Sequence, residues 1–375
     1  MHVVISETDK FQAALSRAAS NVSKSDSNPI QSALKLWTKS NKLMITALDT
    51  TSHQLTLSVN ATVQVEGSVL IEAEHFSKVM SKFGDQLLSL DNNPGSGDLN
   101  IKIGKDNLDF NLFSAEIDDF PMEKSLPPKV ASVSGETLAD FTKSLLNGTL
   151  NKEQDISFTT IEDKDKLRGY VGDATSGLLI RTECALKGKD EDFHVKIPYL
   201  ILKRLPLFTG DVNIHYGNGL FVFAKDEEHF IVRVADTEDD SSALDYIFDK
   251  APLGLIAIRQ LDTFKKKLSI LRVSKATQVA KLMINSDANI LSMSAFDFSH
   301  GNMLLEVGLG DVQGQTPSLL FDSSCLDRAA SAIDTESAVA SYILHETDDT
   351  DIWVLKMYDE SSPASKQAVI LPIQE

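Results

Sequence analysis

The chain has 375 residues, 42% hydrophobic and 24% charged, with a formal net charge of −18. That length fits two or three domains of ordinary size, and such an acidic balance at first sight disfavours nucleic acid as a partner. No apolar run is long enough to span a membrane, MHVVISETDK has no leader-like pattern, and the distant Cys184 and Cys325 exclude a disulfide framework and suit a reducing cytoplasm.

Lys10–Lys24 reads as an amphipathic helix, with Phe11, Leu15 and Ala18/Ala19 on one face. Asn28-Pro29 stops it. Alternating strands follow at Leu34/Leu36, Leu43/Ile45/Ala47, Leu55/Leu57/Val59 and Val63/Val65. A second helix is expected at about Glu72–Phe83, then strands at Leu87–Leu90, Ile101/Ile103 and Leu108/Phe110/Leu112. Asp118-Asp119-Phe120-Pro121 closes the first unit, and Leu126-Pro127-Pro128 reads as a linker.

The order then repeats. A helix at Gly135–Leu146 gives way at Asn147-Gly148, and strands at Ile156–Thr160 and Leu167–Val171 lead into the loop 172–177. A strand at Leu178–Thr182 and a helix near Pro198–Phe208 follow. Gly217-Asn218-Gly219 lies between alternating strands and signals a hairpin. The third unit starts with a helical stretch, Ile258–Val273, has a further helix at Asp322–Ile333, and ends in the strand Ala368–Ile373. The expected domains are 1–126, 127–250 and 251–375, each a run of strands interrupted by two helices. This is an α+β arrangement with helices on one face of antiparallel sheets.

Two markers support a threefold repeat. Phe-x-x-x-Leu occurs at Phe11/Leu15, Phe141/Leu145 and Phe264/Leu268, at steps of 130 and 123 residues. Ile71/Phe76, Ile197/Leu202 and Phe321/Leu326 recur at steps of 126 and 124. Charge follows the same division. The segments 10–24, 76–83, 141–146, 199–208, 259–275 and 322–333 hold 15 of the 36 Lys/Arg residues but 3 of the 54 Asp/Glu residues. A shared basic surface in an otherwise acidic protein accounts for this better than scattered solvated helix faces do.

Catalytic patterns are missing. There is no phosphate-binding glycine loop, no His-Glu-x-x-His, no Cys-x-x-Cys and no Gly-x-Ser-x-Gly. Asp236–Asp240 and Asp348/Asp349/Asp351 are acidic enough to hold Mg²⁺, but read better as solvated loops. No catalytic residue, metal site or cofactor is expected.

Several stretches resemble the bacterial-type DNA polymerase III sliding clamp, the β subunit. Phe11 to Pro29-Ile30 is similar to its opening helix and turn. Leu43-Met44-Ile45-Thr46-Ala47-Leu48-Asp49 is similar to a first-domain strand, and Asp119-Phe120-Pro121 to that domain's end. Leu146-Asn147-Gly148-x-Leu150 resembles a second-domain motif, and Leu371-Pro372-Ile373 the terminal strand. The resemblance covers nearly the whole chain and implies a divergent member of the family.

It implies the DNA-clamp fold: three similar domains per chain, two chains closed head to tail, helices lining the hole and sheets outside. The implied partners are duplex DNA held without base readout, the replicative polymerase, a clamp-loader ATPase and a second copy of the chain, with no membrane. The implied DNA-facing residues are Lys24, Lys78, Lys82, Lys143, Lys203, Arg204, Lys265, Lys266 and Lys267. The implied pocket for partner peptides holds Leu146, Gly172, Leu178, Leu244, Phe248, Val369, Leu371, Pro372 and Ile373. The implied dimer seam pairs Phe110 and Leu112 with Ile270 and Leu271.

Three departures stand out. The loop 172–177 lacks the family's His and Arg and carries one extra residue. The helix before Leu146 looks shortened. Leu244-Asp245-Tyr246-Ile247-Phe248 replaces Pro-Asp-Tyr-Arg-Arg, so Phe248 is expected to make the pocket more apolar. Two other readings stay open here: a β-rich scaffold that never meets DNA, and a metal-dependent nuclease using the acidic clusters.

Overall fold

The computed structural model describes all residues except 23–28, 50–52, 93–96, 114–116, 123–124, 162–164, 174–176, 236–240, 273–278, 286, 298–300, 347–350 and 374–375. The chain folds into two compact units, one of residues 1–132 and 204–235, the other of residues 133–203 and 236–375.

The first unit holds a five-stranded sheet in the order Thr62–Val65, His2–Ile5, Leu88–Asp91, Asp98–Ile103, Asp106–Asn111. Its eight-stranded sheet runs Lys129–Ser134, Asp211–Gly217, Leu220–Lys225, Glu228–Arg233, Gln54–Asn60, Lys42–Leu48, Ala33–Lys39, Ser68–Glu72. Helices α1 (Thr8–Asn21) and α2 (Ala73–Met80) pack together. α1 buries Thr8, Phe11, Leu15, Ala18 and Asn21, one stripe at helical spacing. α2 starts where the Glu72 carboxylate accepts the backbone N–H groups of Glu74 and His75, at 2.9 and 2.6 Å. Phe11, Phe76 and Phe110 meet edge to face, with centroids 6.4 and 5.2 Å apart, at the centre of this core.

The second unit holds a nine-stranded sheet in the order His194–Pro198, Asp155–Thr160, Lys166–Asp173, Leu178–Ala185, Lys366–Ile370, Asp351–Asp359, Ala338–Glu346, Gly254–Ile258, Val312–Gly314. Its four-stranded sheet runs Gly301–Gly308, Ile290–Asp297, Val279–Asn285, Leu319–Asp322. The helices are α3 (Gly135–Gly148), α4 (Tyr199–Leu202), α5 (Ser241–Asp249), α6 (Leu261–Leu271) and α7 (Ser323–Ile333). Ser134 caps α3 by accepting the Thr137 N–H at 3.1 Å, and Asp322 caps α7 by accepting the Ser324 N–H at 2.7 Å. α7 packs against α3, α6 and the strand Lys366–Ile370.

The α+β expectation holds, with paired strands antiparallel throughout the described ladders. The first marker lies within the first helix of each repeat, and the second spans a strand-to-helix corner. Phe11/Leu15, Phe141/Leu145 and Phe264/Leu268 anchor α1, α3 and α6 and are buried, as are Ile71/Phe76, Ile197/Leu202 and Phe321/Leu326 at the starts of α2, α4 and α7. The hairpin at 217–219 forms as expected: Asn218 and Gly219 both have positive φ, 54° and 71°, the geometry that glycine and asparagine allow.

Other expectations need correction. α3 does not give way at Asn147-Gly148 but runs through it, with 14 residues; its tail is held by bonds to α7 that local propensity does not report. The helix expected near Pro198–Phe208 is the single turn α4, with Pro206 unable to donate to a continuing ladder. The stretch from Ile258 is a strand end followed by α6.

The strands Glu228–Arg233 and Gln54–Asn60 pair beside two imidazoles, His53 buried and His229 half-buried. His229 Nε2 lies 2.9 Å from Gln54 Nε2, and His53 Nδ1 accepts the Arg233 N–H at 3.0 Å. Burial pushes His229 down to about 4 from an ordinary 6.5, and burial also lowers His53. A depressed folded pKa means that the unfolded chain binds more protons between the two values. The stability gained from a neutral His229 is therefore complete above pH 6.5 and is lost as pH falls toward 4, by about 2–3 kcal/mol. Thermal unfolding of wild type and His229→Gln at neutral and mildly acidic pH checks this: the variant should lose less stability on acidification, and parallel losses would exclude the assignment.

Candidate functional site

The cations expected to face DNA lie on or beside the short helices. Lys78 on α2 is exposed and pairs with Glu74 one turn earlier. Lys82 follows α2 and Lys203 follows α4; both are exposed, as is Lys266 on α6, and none forms an ion pair among the described residues. Arg204 reaches the Asp49 carboxylate at 3.4 Å. Lys267 donates to the Glu306 carbonyl. Lys24 lies outside the described residues.

Lys143 on α3 and Lys265 on α6 converge on one carboxylate. Asp334 Oδ2 lies 2.6 Å from Lys143 Nζ and Oδ1 lies 3.4 Å from Lys265 Nζ. The hydrogen bond from Lys143 is the main cause of a carboxyl held below its ordinary range, and the same bond raises the Lys143 ammonium. Around this triad the Ser144 hydroxyl donates to the Ala332 carbonyl at 2.6 Å, and the Asn147 amide to the Ser331 carbonyl at 3.2 Å. These bonds seat α3 on α7.

The expected pocket residues divide into two groups. Leu244, Phe248, Val369 and Leu371 share one apolar cluster with Tyr170, Leu179, Ile247, Ile343, Ile352 and Val354. Phe248 and Val369 are fully buried within it, whereas Leu244 and Leu371 remain partly accessible. Leu178 is buried on the opposite face of its strand. Its neighbour Leu179 faces the cluster, opposite Val369. Leu179 also closes over Gly172, where a β-carbon would sit 2.2 Å from its Cδ2. Leu146 and Pro372 are half-buried and Ile373 is 39% exposed. The Leu371 N–H donates to the Gly177 carbonyl and the Ile373 N–H to the Leu320 carbonyl, each at 2.8 Å. The terminal segment is thus stitched to its neighbours through its backbone, leaving apolar side chains partly open.

Sequence reasoning missed α5, the wall of this cluster. Leu244, Ile247 and Phe248 fall at i, i+3 and i+4, which was the available signal. Beside its apolar contacts, α5 is held by ionic bonds. Asp245 accepts from Arg168 Nη1 at 2.5 Å, from the Tyr170 hydroxyl at 2.5 Å and from Arg181 Nη1 at 2.9 Å. Arg181, nearly buried, also donates to Asp249 and Gln367 at 2.8 and 2.7 Å and lies 4.8 Å from the Phe248 ring centroid. Burial, then the bond to Asp245, pushes the Tyr170 phenol up, so it stays a donor. Glu183 completes the shell with a 2.7 Å bond from Arg168 Nε.

Of the expected seam residues, Phe110 is 9% exposed and packs on Phe76, and Leu112 packs against the same core. Leu271 is fully buried and Ile270 is 48% exposed. The acidic loop 236–240 and residues 348–349 of the second cluster lie outside the described residues, and Asp351 is exposed. Among the described residues no group of His, Cys, Asp and Glu is arranged to hold a metal ion.

Asp245→Ala would leave Arg181 and Arg168 partly uncompensated, and loss of one partner from a buried pair costs about 3 kcal/mol or more. The variant should melt earlier and exchange the α5 amide hydrogens faster, with Asp245→Asn intermediate. Unchanged melting and exchange would show that the apolar contacts alone hold α5.

Residues 1–126 match the family model for the DNA polymerase III beta subunit, N-terminal domain. No curated protein sequence is similar enough to match. Among solved structures, the chain resembles the DNA polymerase III beta chain of Streptococcus pneumoniae, with a TM-score of 0.83 at 17% identity. It resembles the beta subunit of DNA polymerase from Streptococcus pyogenes, with a TM-score of 0.85 at 14% identity. For the sliding clamp of Pseudomonas aeruginosa bound to griselimycin the values are 0.83 and 15%. In all three the match covers 100% of each chain. The resemblance read from the sequence is therefore borne out: residues 1–126 match the N-terminal domain of the DNA polymerase III beta subunit family, and the chain shares the fold of these beta subunits along its whole length.

Proposed function

We propose that this protein is a DNA sliding clamp, a ring that encircles duplex DNA and tethers the replicative polymerase as a processivity factor. The observation that carries the reading is the family match over residues 1–126 combined with a fold shared with beta clamps over the full chain. The scaffold and nuclease alternatives receive no support from the family or the fold. The protein has no catalytic role in this reading. It works in the cytoplasm, where a clamp-loader ATPase opens it onto DNA, and among the described residues no helix is long and apolar enough to cross a membrane.

The ring is a homodimer of chains with domains 1–126, 127–250 and 251–375. The family match ends at residue 126, and the corner anchors recur at a third of the chain, which supports this division. Two strands that lie at sheet edges among the described residues, Asp106–Asn111 and Gly301–Gly308, support the seam. Ile270 and Leu304 are exposed, 48% and 58%, on α6 and that second edge strand. Open strand edges invite pairing, and Leu304 and Ile270 add exposed apolar surface beside one of them, so a partner copy is the natural cover. Phe110 and Leu271 support this seam from the core, while Ile270 supplies open surface.

The basic helix faces line the hole and meet phosphates, so affinity is weak, salt-dependent and indifferent to base sequence. The cluster around Leu179, Leu244, Leu371 and Ile373 takes short peptides of the polymerase and loader through apolar anchors. Tethering then raises the polymerase concentration at the primer end without demanding a tight contact.

The test is retention after loading. Loaded onto nicked circular DNA, the protein should stay bound at raised salt and leave once the circle is cut. Sedimentation should give twice the 41.1 kDa chain mass. Equal retention on circular and linear DNA, or a monomer at micromolar concentration, would overturn the ring.

A further inference from the structure

Asp334 closes α7 in the left-handed region, at φ 46°. Asparagine suits that backbone at least as well as aspartate. A helix C-terminus carries partial negative charge, so a carboxylate there has the wrong sign for the helix it ends. Helix termination therefore does not explain the charge. The carboxylate does hold two ammonium groups, Lys143 from α3 and Lys265 from α6. Both are among the lysines read as DNA-facing.

We propose that Asp334 is an electrostatic brake on the DNA-facing surface, holding Lys143 and Lys265 against a protein carboxylate and so lowering the affinity of α3 and α6 for duplex phosphates. This inference rests on the clamp reading. The triad carries a net charge of one where two lysines alone would carry two. The side chains of Lys143, Asp334 and Lys265 are 61%, 36% and 19% exposed, so phosphate can compete for the ammonium groups. Each exchange swaps one anion for another in a wet setting and gains little. A surface built this way touches DNA without gripping it.

The experiment measures binding of the full-length protein to a short fluorescein-labelled duplex by anisotropy across a salt series. Asp334→Asn preserves the left-handed cap and should bind about three- to tenfold tighter, with a salt slope steeper by about one to two. In a Lys143→Gln, Lys265→Gln background the same change should have no effect. Asp262→Asn, which neutralises an exposed carboxylate in the first turn of α6, should give a smaller gain. Thermal melting checks that each variant is folded. Wild-type affinity in Asp334→Asn, an equal gain from Asp262→Asn, or a gain that survives loss of both lysines would each overturn the brake. Loading on circular DNA separates the two readings: wild type retained there with Asp334→Asn unchanged removes the brake alone, whereas wild type not retained removes the clamp reading as well.

Discussion

Burial of an apolar anchor at each strand-to-helix corner is the constraint on which the rest of this structure depends. Most of these helices are too short to be stable in isolation, so packing, and not propensity, keeps them formed. Phe11, Phe76, Phe141, Phe264 and Phe321 are all fully buried, Phe141 at the middle of α3 and the others at or just before the first turn of a helix. Fully burying such a side chain contributes about 1.5–3 kcal/mol. One stripe per helix is used in this way. The opposite stripe is released from packing and can carry lysine at no cost to the core. The separation of basic helices from an acidic remainder is thus a consequence of where the apolar anchors fall.

The corners were legible in the sequence because their signal is local. Phenylalanine and leucine four residues apart, repeated three times, survive any ignorance of tertiary structure. Helix α5 carried only one turn of apolar spacing, next to the acidic run 236–240. Its other restraints come from Arg168 and Arg181, 77 and 64 residues from Asp245 in the chain. No window of sequence contains both halves of that bond. Leu178 and Leu179 divide between two faces for a different reason. Side chains alternate along a strand, so a shift of one residue moves the whole set to the other face. Here Leu179 and not Leu178 faces the apolar cluster.

The ionic shell of α5 and the apolar cluster beneath it work by different rules. The cluster of Ile247, Phe248, Ile343, Val354 and Val369 is non-directional and would tolerate small rotations of the helix. Asp245, accepting three bonds from three side chains, would not. Buried ion pairs add little net stability over an apolar replacement, but their geometry admits few alternatives. The pairing of Arg181 with Asp245, Asp249 and Gln367 therefore sets the position of α5 more than its strength of attachment. Leu244 stands on that helix, and its position relative to Leu179 and Leu371 is set with it. The resemblance implied that Phe248 makes the expected pocket more apolar. The side chain is fully buried and serves as a platform for the Arg181 guanidinium.

A ring that slides must attract DNA and must not trap it. Lysines left free would make a deep well wherever a phosphate fell in register, and movement would require breaking several such contacts together. Lysines already satisfied by a neighbouring carboxylate or carbonyl have a second partner to return to. Lys78 with Glu74, Lys143 and Lys265 with Asp334, and Lys267 with the Glu306 carbonyl are of this kind. On the proposed reading, leaving a phosphate restores an internal bond for these groups, so the barrier between successive positions is lower than the number of cations implies. The exposed Lys82, Lys203 and Lys266 supply attraction, and the paired lysines supply contacts that can be exchanged. On the proposed reading, affinity is set by the first group and mobility by the second, which is why a chain of net charge −18 can work on DNA at all.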